Sequence, residues 1–182
     1  LASLTYQLEF RKGKFKGIEK LIKQINGMPM DNLTELSKNV VLSLMEERFT
    51  PNNSTYNELS SSGNLNLISN DSIKILLLDL EEHYKVNNFA IDHELYEYRE
   101  YISKPLFKFT NTDQLLSVYF SEKSVEEIGI TSDDFIALFN SSEYKNGVVI
   151  SNLITKEFIP LYETIEAKSK RLITLIDKEL KK

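Results

Sequence analysis

Residues 71–84 read Asp71-Ser72-Ile73-Lys74-Ile75-Leu76-Leu77-Leu78-Asp79-Leu80-Glu81-Glu82-His83-Tyr84. Ile73, Leu76, Leu80 and Tyr84 recur at intervals of three and four, with Leu77 beside them. Ile91, Leu95, Tyr98 and Ile102 continue the stripe. Apolar side chains once per turn mark one face of an amphipathic helix, whereas a half-buried strand alternates. Asn70 or Asp71 supplies the N-cap. Asn87 and Asn88 interrupt the stripe midway, and Pro105 disfavours helical geometry at Lys104, which marks the predicted end. Such a rod is about 50 Å long at a rise of about 1.5 Å per residue. It cannot bury its stripe alone and requires partner helices of similar length.

The flanking sequence supplies those partners. Residues 4–26 keep helical spacing through Leu4, Leu8, Phe15, Ile18, Leu21, Ile22 and Ile25. Gly13 and Gly17 each weaken this helix by about 1 kcal/mol relative to alanine. Asn26-Gly27 and Pro29 stop it. Asp31 is the predicted cap of a second helix, running to about Phe49 with Leu33, Leu36, Val40 and Leu44 inward. Residues 50–53 form a loop. Ser54 is the predicted cap of a short helix that ends at Gly63, a residue suited to the left-handed position past a helix end. Residues 65–68 bend.

Beyond Pro105, a short helix is expected near Thr112–Phe120, and Ser124–Ile130 reads as either another turn of helix or a loop. Another starts at Thr131 or Ser132, with Phe135, Leu138 and Phe139 inward and Asp133 and Asp134 near its positive end. The last long helix runs from Asn140 or Ser141 to about Leu180. Its predicted stripe is Val148, Asn152, Ile154, Phe158, Leu161, Ile165, Leu172 and Ile176. Pro160 predicts a kink near Lys156. The expectation is one all-α domain over residues 1–182: an antiparallel bundle of three to four long helices with several short ones.

Composition excludes several classes. The 182 residues contain no cysteine, which removes disulfides, thiolate metal sites and cysteine nucleophiles. No run of eighteen apolar residues spans a membrane. The net charge of −5 is uneven: residues 1–30 carry +4 and the rest −9. An acidic body repels phosphate, so nucleic acid is not an expected partner. The basic residues Arg11, Lys12, Lys14, Lys16, Lys20 and Lys23 read as a solvated face beside acidic neighbours.

The nearest approach to a catalytic motif is His93-Glu94-Leu95-Tyr96-Glu97. A zinc-protease helix needs a second histidine where Glu97 stands. Glu-x-x-His pairs of di-iron bundles are absent, because Leu80 and Ala90 precede His83 and His93 by three. Asp79 and His83, one turn apart, suit an ion pair or hydrogen bond. Gly13-Lys14-Phe15-Lys16-Gly17 lacks the ending of a phosphate loop, and its lysines exclude a membrane helix dimer. Glu81-Glu82 and Glu126-Glu127 read as solvated surface. Tyr84, Tyr96, Tyr98 and Tyr101 cluster on the central helix, where Tyr84 and Tyr98 extend the apolar stripe and a pocket lined by tyrosine hydroxyls is the alternative. No catalytic, cofactor-binding or metal-ligating residue is assigned, and no cofactor is expected. Irregular connections often carry recognition, which directs attention to residues 108–141 as a binding surface.

Phe49-Thr50-Pro51, Ser54-Thr55-Tyr56-Asn57-Glu58-Leu59, Ser61-Ser62-Gly63-Asn64-Leu65 and Leu67-Ile68-Ser69-Asn70 resemble a family of uncharacterised membrane-anchored proteins common in Bacteroidetes, grouped as a domain of unknown function. The resemblance implies a helical extracytoplasmic part on the periplasmic side, with a membrane helix ahead of residue 1. It carries over no catalytic or binding residue. The functional expectation is a noncatalytic, sensor-like module that binds a protein or small ligand. A self-assembling structural module is the alternative, and an enzyme with an unrecognised site is a third reading.

Overall fold

Three long helices carry the architecture. The computed structural model describes residues 1–181, and no strand occurs among them. The helices are α1 (Ala2–Ile25), α2 (Leu33–Leu44), α3 (Ser54–Ser61), α4 (Asp71–Glu97), α5 (Lys104–Phe109), α6 (Thr112–Tyr119), α7 (Val125–Ile128), α8 (Asp133–Asn140) and α9 (Ser142–Glu179). A 3-10 turn (Asn64–Leu67) precedes α4 and a π-helical turn (Tyr98–Ser103) follows it. The fold class is all-α, as the periodicity requires.

Contacts between α4 and α9 run in opposite order. Asn70 meets Glu179, Asp79 meets Lys168, and Tyr101 lies against Gly147. On α1, Thr5 meets Glu166 and Arg11 lies over Phe158. Thus α1 and α4 both run counter to α9.

Several boundaries differ from the sequence reading. Asn32, not Asp31, caps α2 by accepting from Glu35 N at 2.9 Å. Asn53, not Ser54, is the N-cap residue of α3, and Asn52 Oδ1 accepts from Ser54 N at 3.2 Å. Most consequentially, α2 ends at Leu44 instead of near Phe49. The chain turns extended at Met45 and passes through the bundle. An extended segment inside a helical protein has no ladder to satisfy its carbonyls, so side chains must. Lys14 Nζ donates to Met45 O at 2.8 Å, Arg11 Nη2 to Glu47 O at 2.8 Å, and Asn87 Nδ2 to Phe49 O at 3.0 Å. These alternate carbonyls follow the period of two that an extended chain imposes.

Pro105 does not end the central rod. Lys104 keeps helical angles (φ −60°, ψ −54°), and α5 starts there. The proline ring presses on the carbonyl four residues back, and Tyr98–Ser103 meets that pressure by widening into a π-helical turn. Gly147 of α9 packs on the widened turn. A Cβ there would lie 2.8 Å from Tyr101 O.

The buried side chains form two apolar cores. One joins Ile18 and Leu21 of α1 to Leu36, Val40 and Val41 of α2, Ile102, α5–α8, and Tyr144 and Val148 of α9. The other joins Leu4 and Leu8 to Leu80, Ile91, Phe158, Tyr162 and Ile165. Between them every long helix contributes a buried polar layer: Arg11 and Lys14 from α1, Glu94 from α4, Ser151 and Thr155 from α9. The inward face of α9 runs Tyr144, Gly147, Val148, Ser151, Thr155, Phe158, Tyr162 and Ile165. Predicted members Asn152, Ile154 and Leu161 are only half-buried, and Ile176 is exposed. The polar Ser151 and Thr155 hide this register from a reading of apolar spacing. Pro160 lies within α9, which runs unbroken from Ser142 to Glu179.

Candidate functional site: an apolar groove under helix α3

The first turns of α4 and the last turns of α9 form a two-helix seam beyond the reach of Leu4 on α1. Ile73, Leu77 and Leu80 line it from α4, and Leu172, Ile176 and Leu180 from α9. Helix α3, with Asn52, Asn53 and Ile68 beside it, stands over this seam. It has no buried residue, and it presents half-buried Tyr56 and Leu59 toward the gap. The result is an apolar groove of about 480 Å³, within the range of small-molecule sites.

The polar groups of the groove are few and placed. Asn53 Nδ2 donates to Glu81 Oε2 at 2.8 Å, which ties the start of α3 to α4. Asn70 Nδ2 donates to Glu179 Oε2 at 3.0 Å, which ties the cap of α4 to the end of α9. Among the described residues Glu81 and Glu179 are the charged lining residues, and both are carboxylates. Tyr84 also faces the groove, its phenol pushed up by burial against a hydrogen bond from Ser169. Tyr84 and Tyr98 pack against the two cores, as the apolar stripe predicts, and of the four clustered tyrosines only Tyr84 lines this groove, with Tyr56. Tyr96 is exposed, and Tyr98 and Tyr101 sit at the π-helical turn.

The polar layer is the second concentration of chemistry. Arg11 is fully buried and grips Glu94 with both terminal nitrogens, Nη2 lying 2.7 Å from Oε2. Its guanidinium carbon stands 4.2 Å from the Phe158 ring centroid. Lys14 Nζ lies 3.5 Å from Glu94 Oε1. Burial alone would push the Glu94 carboxyl up, but Arg11 and Lys14 together hold it below the ordinary range. Burial dominates at Lys14 and lowers its ammonium from 10.5 to about 8. The adjoining cavity, lined in part by Lys14, Glu94, Glu97 and Ser151, measures about 10 Å³. That holds about one water and no substrate. These charges serve the extended segment and each other.

His93 points away from this layer and is mostly exposed, its Nε2 3.9 Å from Glu97 Oε1. Among the described residues no three His, Cys, Asp or Glu side chains group as metal ligands do. His83 Nδ1 lies 2.7 Å from Asp79 O and 3.5 Å from Asp79 Oδ1, the contact expected from their spacing, and the Asp79 carboxylate also pairs with Lys168. Glu126 and Glu127 are exposed, as read from the sequence, with Glu127 completing a capping box with Ser124; Glu82 is exposed as well, while Glu81 is half-buried and accepts from Asn53. Of the basic residues on α1, Lys12 and Lys20 do face acidic neighbours, Glu163 and Glu35, while Arg11 and Lys14 are buried. Residues 108–141 supply Leu115, Val118, Val125, Phe135 and Leu138 to the larger core. Their own hollow is only about 60 Å³. The groove escapes a reading of the sequence because its walls lie more than 90 positions apart. Its one local signal is Tyr56 and Leu59 on a helix too short to stand alone.

No protein-family model matches the chain, and no curated protein or solved structure matches it either.

Proposed function

We propose that this protein is a noncatalytic binding module whose groove takes a single apolar chain with a neutral or cationic head. The observation that carries this reading is the pairing of an apolar groove with carboxylates as its charged lining groups. Burial of each methylene contributes about 0.8 kcal/mol, and the Glu81 carboxylate attracts a cation and repels an anion. α3 has no buried residue, so apart from the Asn53–Glu81 hydrogen bond at its start little packing opposes its displacement by an entering chain. A place on the extracytoplasmic side of a membrane, held by an anchor outside this chain, belongs to the same proposal. Its support is the sequence resemblance alone, and no helix among the described residues is long and apolar enough to cross a membrane.

Titration calorimetry with dodecyltrimethylammonium and dodecyl sulfate, each below its micellar range, tests the reading. The cationic probe should bind saturably at one site and the anionic probe far more weakly. Shortening the chain by two carbons should weaken binding about tenfold. Ile176→Lys, at an exposed groove wall, should remove the preference without shifting the thermal midpoint. Equal binding of both probes, or no effect of Ile176→Lys, would contradict the proposal.

A further inference from the structure

One face of α4 lies outside both cores. Ile75, Leu78 and Tyr96 are exposed there, and Phe89 is 75% exposed. At 3.6 residues per turn these four fall within about 40° of one line along the helix. Leu153 of α9 is exposed beside them. Val86, Phe89, Ala90 and His93 of α4 enclose with Leu153 and Leu161 a shallow hollow of about 370 Å³. Exposed Glu82 stands on the same line between Leu78 and Phe89, so the apolar surface that crosses both helices is the part around Phe89 and Leu153, and such a patch marks an interaction face.

The charges beside it indicate the occupant. Lys85, whose Nζ lies 2.7 Å from Glu82 Oε1 on the same helix, precedes Phe89 by four residues and Asp92 follows it by three, both on the flank away from Ala90, while Glu157 lines the hollow from α9. A two-fold axis at Phe89 that sets two α4 helices antiparallel brings Lys85 of each copy opposite Asp92 of the other. On the flank toward α9 it brings Val86 opposite His93. A two-fold interface requires a patch complementary to itself, and this arrangement meets that condition at two ion pairs. A partner of uniform charge is disfavoured because Glu82, Lys85 and Asp92 mix signs. We propose that a second copy of this chain covers the face, paired antiparallel about Phe89. This surface is separate from the groove under α3, and neither proposal depends on the other.

Sedimentation equilibrium of the full chain over micromolar to high micromolar concentration should show a monomer–dimer equilibrium. Phe89→Glu with Leu153→Glu should abolish it, with circular dichroism unchanged because both side chains are exposed. Lys85→Glu or Asp92→Lys alone should raise the dimer dissociation constant at least tenfold, and the two together should restore it. Since the chain lacks cysteine, Phe89→Cys should oxidise to a covalent dimer while Ile136→Cys, also exposed, should not. A concentration-independent monomer would overturn the inference. So would a dimer that survives Phe89→Glu with Leu153→Glu, or a charge swap that fails to restore pairing.

Discussion

Arg11, Lys14 and Glu94 show why charges sit inside this protein. Each cation donates to a carbonyl of the extended segment, at Glu47 and Met45, and Glu94 neutralises both. Removing one member of a buried ion cluster leaves the others unpaired, which costs about 3–5 kcal/mol. Urea denaturation of Glu94→Gln should show a loss of that size. Lys14 gives the pH dependence its sign. Below about pH 8 both folded and unfolded chains hold the proton, and the folded state bears the cost of burying the charge. Between pH 8 and about 10 the folded amine loses its proton first, so stability rises with pH. Above about 10 the unfolded tyrosines ionise more readily than Tyr144, whose phenol burial pushes up, and stability falls again. Chemical denaturation across that range should show the rise, and Lys14→Met should flatten it. This layer was illegible in the sequence. Arg11 and Glu94 stand 83 positions apart, and nothing local separates a buried lysine on a basic helix from a solvated one.

Helices were legible where a face repeats over several turns. Of the nine residues in the predicted central stripe, Ile73, Leu76, Leu80, Ile91 and Ile102 are buried, while Leu77, Tyr84, Leu95 and Tyr98 are half-buried. Helix ends were less legible, because tertiary demands override local preference there. The helical pattern of α2 continues past Leu44, yet the chain leaves it to reach donors on α1 and α4. Pro105 predicts a stop, but a π-helical turn absorbs it. The glycines divide on the same principle. Gly147 packs on Tyr101, so Gly147→Ala should lower the thermal midpoint through a loss of about 1–3 kcal/mol. A methyl group at Gly13 would meet nothing within 4 Å, and Gly13→Ala should raise stability by up to about 1 kcal/mol. Helix α3 has no buried residue, so its amides should exchange with deuterium orders of magnitude faster than those of α2.

At the scale of the molecule, two apolar cores stack along α1, α4 and α9 with a charged layer between them. The larger core is closed by short helices. The smaller one tapers into the α4–α9 seam, where α3 stands over a groove instead of completing the packing. All-α architecture and long partner helices followed from hydrophobic spacing. The groove did not, because it arises from what fails to cover a seam. Its carboxylates and α3 above it are the basis of the proposed binding role. Methyl NMR during titration with dodecyltrimethylammonium tests that role most directly. The account predicts saturable shifts at Leu59, Leu77, Leu172 and Ile176, with Leu36, Val40 and Leu138 unmoved. Shifts centred on Leu153 and Val86 instead, or spread through both cores, would contradict it.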